Sequence, residues 1–257
     1  DKSEPKYMNS SETPVYSKRR VLYGLNLAKK SKRPNIILCE GNLDIVTLHQ
    51  AGFDNAVASM GTALTVEQTR LLSRFTKELV LCYDNDNAGK IATERALQIL
   101  NGSEFSVKVL QLPRRLVDGE YIKQDADDFI KLQGPDAFER LLNGSENGVE
   151  FRMAQIAGKY DLKDDEARIA YCGEVSELLA SLPGAVEREI YTGRAAEAAG
   201  ITAEALKLEV QRSFKRRIAR EKRAELRKNL NPAMALQPKE RSCLLYTSPS
   251  PRDISGS

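Results

Sequence analysis

The sequence predicts an α/β fold: a parallel sheet flanked by helices, followed by a small helical bundle and a long basic helix. Three observations carry this. Between residues 34 and 112, short apolar runs alternate with stretches of three-and-four apolar spacing, the pattern of strands buried on both faces with helices laid over them. After Gly134 the strand-like runs stop and only helical periodicity continues. From 203 to 228, ten basic residues stand against four glutamates, which makes one long charged helix.

Taken in order, residues 1–33 are polar, carry Lys2, Lys6, Lys18, Arg19 and Arg20 among other cations, and read as the end of a basic subdomain. Strands are expected at 35–39, 55–58, 78–83 and 106–112, with helices at 43–51, 66–75 and 90–100 between them. A catalytic domain over 34–134 contains all of these. A helical subdomain follows over 135–202, with helices at 136–143, 149–159, 164–181 and 187–199, the last two separated by Pro183 and Gly184. The basic helix of 203–242 is expected to project as a solvated connector. The net charge of +6 over 203–228 leaves about −3 for the remainder of a chain whose total is +3. The final stretch, 243–257, reads CLLYTSPSPRDISGS. Its Ser/Pro composition fits neither the helix before it nor a packed core, and the string resembles translated adapter sequence, so it is read as a foreign, disordered tail.

Composition narrows the chemistry. At 257 residues the chain is long enough to bury a core without disulfides. A single histidine, His49, excludes mechanisms that need two, and Cys39, Cys82, Cys172 and Cys243 show no C-x-x-C spacing, so no zinc site is expected. Catalysis would therefore fall to carboxylates. No apolar run is long enough to span a bilayer and the first residues are unlike a signal peptide, so no membrane partner and a cytoplasmic location are expected.

Three acidic clusters stand at informative places. Glu40, in EGNLD, follows the first expected strand, with Gly41 beside it and Asp44 one helical turn on. Ligands of open parallel sheets bind beyond the carboxyl ends of strands, which is where this places Glu40. Asp84 and Asp86, in YDNDNAGK, follow the third expected strand. Their alternate spacing puts both carboxylates on one side of an extended backbone, where a cation between them would relieve their repulsion. Asp125 and Asp127 repeat the spacing in QDADD. Hard oxygen donors without His or Cys suit magnesium or manganese. The plainer reading stays open: Asp86 could be a helix cap, Asp44 could bond a basic residue, and lysines near the N-terminus could be ordinary surface groups.

EGNLD followed by YDNDNAG resembles the Toprim domain shared by bacterial primases, topoisomerases and some nucleases. PKYMNSSETPVYSKRRVLYGL, AVASMGTALT and YDNDNAGKIA resemble the bacterial DNA primase family in particular, over roughly residues 1–242. The resemblance implies a Toprim-fold RNA polymerase core, a nucleotidyltransferase that makes short RNA primers from ribonucleoside triphosphates on single-stranded DNA. Glu40, Asp84 and Asp86 match the family's main metal-binding and catalytic carboxylates, and Asp44, Asp125 and Asp127 its supporting acidic positions for two or more Mg2+ or Mn2+ ions. Lys6, Asn9 and Lys18 match positions that line the nucleotide site and template groove. Ala126 stands where the family usually has proline, Arg19 where it often has glycine, and the loop LPRRLVDGEYIKQ is longer. The family's zinc ribbon and helicase-binding domain are expected to be missing, so the replicative helicase would be met through a domain absent from this chain. A Toprim nuclease using the same carboxylates on a phosphodiester, or a catalytically weak replisome scaffold, are the rival readings. A topoisomerase fits less well, since no separate domain with a nucleophilic tyrosine is identifiable.

Overall fold

Four buried positions in a row, in NIILC and again in ELVLC, are satisfied only when a strand is covered on both faces. The computed structural model, which describes residues 12–13, 16–60, 63–117 and 120–230, sets these two strands at the centre of a five-stranded sheet. A short helix, α1 (Leu25–Ala28), comes first. It is preceded by Gly24, whose φ of 80° favours glycine and where a Cβ would stand 2.7 Å from Ile45 Cγ2. The chain then runs β1 (Asn35–Cys39), α2 (Asn42–Gln50), β2 (Ala56–Ala58), α3 (Val66–Leu72), β3 (Glu78–Cys82), α4 (Asn87–Leu100) and β4 (Ser106–Val109). β1 lies between β2 and β3, and β4 joins β3, all in parallel. The expected alternation is present. The fourth strand is shorter than its apolar run, because Leu110 and Leu112 are buried beyond its end.

Successive side chains of β1 divide between two cores. Ile37 and Cys39 meet Ile45 and Leu48 of α2, whereas Ile36 and Leu38 meet Leu72 of α3 and Ala96, Leu97 and Leu100 of α4. Ile37 and Leu38 are fully enclosed, each contributing about 1.5–3 kcal/mol through burial.

Beyond β4 the structure departs from the sequence expectation in three places. The stretch read as a long loop carries a hairpin, β5 (Arg115–Val117) paired antiparallel with β6 (Glu120–Ile122). Next, α5 (Ala126–Gln133) and α6 (Pro135–Asn143) cover the same sheet face as α2. Phe138 of α6 meets Phe53 edge-on at 4.8 Å and Phe129 of α5 at 6.2 Å, so a boundary at 134 cuts through a continuous core. Strand structure also does not end at Gly134: β7 (Glu146–Asn147) pairs antiparallel with β4. Two residues joined through backbone groups leave no apolar pattern to read.

The helical half consists of α7 (Gly148–Ala157), α8 (Asp165–Ser181), α9 (Ala185–Ala199) and α10 (Ala203–Leu230) around Tyr171, Val175, Leu179, Ala195 and Leu206. α7 joins the two parts, since Phe151 packs beneath the sheet while Met153 and Ile156 enter the bundle. The basic helix is not a connector along its whole length. Leu206, Val210 and Ser213 are buried in the bundle, and Arg217 Nη1 donates to the Ala180 carbonyl at 3.1 Å. That four-and-three spacing is amphipathic and pins the first half of α10; residues 218–226 are exposed. Among the described residues no helix is long and apolar enough to cross a membrane. Lys6, Asn9 and the tail at 243–257 lie outside the described residues.

Candidate metal centre

Cys39 and Cys82 are register partners at the carboxyl ends of β1 and β3, so the residues that follow them leave the sheet side by side. Glu40 comes directly after one strand and Asp84 two residues after the other. Burial raises the Glu40 carboxyl above its ordinary range, and repulsion from Asp84 and Asp86 adds to the rise. Three like charges thus meet at one sheet edge.

Each is held there by local structure. The turn after Glu40 closes when the Gly41 N–H donates to Asp44 Oδ2 at 3.2 Å. Asp44, only 7% exposed, accepts a second bond at Oδ1 from the Asp127 N–H, also at 3.2 Å, tying the start of α2 to the start of α5. Burial, with Asp125 and Asp84 nearby, pushes its carboxyl up to about 7. Asp86 caps α4, its Oδ1 accepting from the Gly89 N–H at 2.8 Å, and that bond holds its pKa below the usual carboxylate range. Gly89 has no substitute: a Cβ there would lie 2.0 Å from the Asp84 carbonyl oxygen. Asp86 is therefore the helix cap that the plainer reading allowed, yet its Oδ2 is left facing Lys123 at 3.3 Å.

Lys123 also donates to Asp84 Oδ2 at 3.1 Å, and these bonds raise its own pKa, the Asp84 bond most. It follows the β5–β6 hairpin, whose root is fastened to the same loop. Asn85 Nδ2 donates to the Leu112 carbonyl at 2.9 Å, and Arg114 Nη2 donates to the Asn85 carbonyl at 3.3 Å.

A second acidic group forms at the start of α5. Carboxylate oxygens of Asp125, Asp127 and Asp128 lie within 4.8 Å of one another. Asp125 caps the helix, accepting from the Asp128 N–H at 2.7 Å, while Asp127 accepts from Thr47 Oγ1 and pairs with Lys131. The donors of both groups are carboxylate oxygens throughout, a set that fits a hard divalent cation and not zinc. Beside them, Asn42 Oδ1 and Gln124 Nε2 are buried with no hydrogen-bond partner among the described residues.

Lys18 belongs to a segment fastened to the first turn of α3. Gln68 Nε2 donates to the Lys18 carbonyl at 3.0 Å, and Thr65 Oγ1 donates to the Arg19 carbonyl at 2.7 Å. α3 follows β2, the parallel neighbour of β1, in the chain. Sequence reasoning missed Lys123 and Asp128. The signal for Lys123 was present, because Asp118 and Gly119 between Leu116, Val117 and Tyr121, Ile122 spell a two-residue hairpin turn.

Comparison with known proteins bears on this geometry. A Toprim-like family profile matches residues 37–130, the profile of the DNA primase catalytic core N-terminal domain matches 1–29, and the profile of the DnaB-helicase binding domain of primase matches 149–204. The DNA primase of Clostridium acetobutylicum is 38% identical over 207 residues, covering 80% of this chain. The chain belongs to the bacterial DNA primase family. It spans about a third of the length of that curated primase. Among solved primases, a DNA primase domain from Pseudomonas aeruginosa matches with a TM-score of 0.66 and 31% identity, covering 82% of this chain and 65% of that one. A DnaG primase catalytic domain bound to single-stranded DNA matches with a TM-score of 0.65 and 30% identity, covering 79% and 64%. The primase profile that carries the helicase-binding description falls on α7, α8 and α9, within the chain, whereas the sequence reading assigned helicase contact to a domain outside it.

Proposed function

We propose that this chain carries the RNA polymerase core of a DNA primase and makes short RNA primers from ribonucleoside triphosphates on single-stranded DNA by metal-dependent nucleotidyl transfer. The observation that carries the proposal is the convergence of Glu40, Asp84 and Asp86 at one sheet edge, beside Asp125 and Asp127, in a member of the primase family. Glu40, Asp84 and Asp86 would hold Mg2+ or Mn2+, with Asp44, Asp125 and Asp127 supporting two or more ions. When bound, such ions stabilise the charge that develops on the attacking and leaving oxygens of phosphoryl transfer.

The chain's own part is placement. Asp86 is fixed by its cap, so its second oxygen, the one Lys123 meets, is presented without a rotamer search. Asp44 braces the turn after Glu40 against α5. Lys18, with Lys6 and Asn9, would meet nucleotide and template phosphates, an attraction independent of base sequence and weakened by salt. The relative solved with single-stranded DNA supports that choice of template. Contact with a replicative helicase is assigned to the bundle at 149–204, and action at a bacterial replication fork, in the cytoplasm, goes with it.

Incubation with Mn2+, labelled ribonucleotides and single-stranded DNA tests the reading. Labelled oligoribonucleotides on an intact template are expected, and none with Asp84→Asn. Cleaved template without RNA would replace the primase reading with a Toprim nuclease, and neither product from folded protein would leave the scaffold.

A further inference from the structure

Asp84 and Asp86 already have a cation between them. Lys123 reaches both carboxylates, at 3.1 and 3.3 Å, yet its side chain remains 59% exposed. An exposed ion pair between lone side chains contributes little and forms by chance on many surfaces. This one is built. The hairpin that leads to Lys123 leaves from the loop that carries the carboxylates, through Asn85 to Leu112 and Arg114 to Asn85, and returns to it at Lys123. A two-stranded hairpin is marginal in isolation, so these ties to residues 84–86 largely decide where it sits.

A divalent ion bound to Asp84 and Asp86 would stand within a few ångströms of that ammonium. Like charges repel at such range, so the lysine must leave the pair when the ion arrives. Its flexible four-carbon stem lets the ammonium swing while the hairpin root stays tied. In a site that takes triphosphates, the phosphate chain, which the ions also draw in, is an anion that the displaced ammonium can meet.

We propose that the β5–β6 hairpin is a strap that supplies Lys123 as a further triphosphate-binding residue, its ammonium held by Asp84 and Asp86 until divalent ions take those carboxylates. The inference rests on the metal reading above. It adds that metal loading and nucleotide capture are coupled through one side chain of the hairpin. Asp84 and Asp86 are thus kept neutralised in the ion-free protein, and the released lysine becomes available only once the metals are in place.

The test uses the full chain and two binding readouts. Mn2+ binding without nucleotide is followed by electron paramagnetic resonance for the unaltered protein, Lys123→Gln and Lys123→Arg, and binding of ATP at saturating Mn2+ is followed by equilibrium dialysis. Losing one competing unit charge at this distance should tighten Mn2+ binding by roughly fivefold to tenfold in Lys123→Gln, while ATP binding weakens by a similar factor. Lys123→Arg, which keeps the charge, should stay near the unaltered protein in both. Mn2+ binding equal to or weaker than the unaltered protein in Lys123→Gln, or unchanged ATP binding, would overturn the strap and leave the metal site standing. No saturable Mn2+ binding to either protein would overturn the metal reading and the strap together.

Discussion

The α/β layer and the helical bundle use charge in opposite ways. Along the sheet edge, acidic groups are crowded: Asp44 is buried among Asp84 and Asp125, Glu40 is repelled by Asp84 and Asp86, and Asp127 and Asp128 join Asp125 at the start of α5. In the bundle, charges are dispersed as partly exposed pairs such as Lys207 with Glu189 and Arg212 with Glu209, each worth little. One region retains repulsion that a bound cation would relieve; in the other these pairs set opposite charges side by side. Substitutions at the edge should therefore change chemistry more than folding, and core substitutions the reverse.

The largest effect separates the two most sharply. Asp84→Asn should lower primer synthesis by about 10³-fold, since a metal-held transition state loses several kcal/mol with a ligand, while the thermal melt stays near that of the unaltered protein. Near-normal synthesis would place the chemistry elsewhere. Phe138→Ala probes the packing boundary. It should cost about 3–5 kcal/mol in urea unfolding, as for other buried aromatic truncations, because α6 belongs to the sheet's core and not to the bundle. A loss under about 1 kcal/mol, well below that range, would restore a boundary near 134.

Asp44 gives the edge a pH signature. Its carboxyl lies at about 7 in the folded, ion-free protein against 3.8 as the ordinary value, so between those values the folded state holds the proton more tightly than the unfolded chain. Its contribution to stability is thus largest at low pH and is lost as pH rises from about 4 to about 7, on the order of a few kcal/mol. With chelator present, the urea midpoint should drop between pH 5 and pH 8. Asp44→Asn should flatten that slope whatever its effect on absolute stability, and Mn2+ should raise the midpoint at pH 8. A slope unchanged in Asp44→Asn would remove Asp44 from the account. The smallest effect belongs to the far half of α10: replacing Arg216 and Arg220 with serine, leaving Arg217 on the Ala180 carbonyl, should keep dinucleotide synthesis on a short template within about twofold, as expected of exposed charges away from the site. A larger loss would bring that helix into the DNA path.

The same contrast governs what could be read from residues alone. β1 and β3 were legible because burial on both faces leaves uninterrupted apolar runs, and those runs mark the strand ends after which Glu40 and Asp84 stand. β7 left no trace, since a two-residue edge pairing is made by backbone groups. The packed half of α10 was hidden by its own charge: Leu206 and Val210 carry the amphipathic spacing, but the surrounding cations dominate the composition. The hairpin and Lys123 were missed although Asp118 and Gly119 mark the turn, because a polar insertion between a strand and an acidic motif reads as loop.

The central claim is that Glu40, Asp84 and Asp86 form one cation site at the carboxyl edge of the sheet. Crystals of the protein soaked in Mn2+, with anomalous diffraction recorded at the manganese edge, test it most directly. The account predicts a peak coordinated by Glu40 and Asp84, with Asp86 within ligand or water-bridged reach and Lys123 turned away. A peak confined to Asp125, Asp127 and Asp128, with Lys123 still between Asp84 and Asp86 at saturating Mn2+, would contradict it.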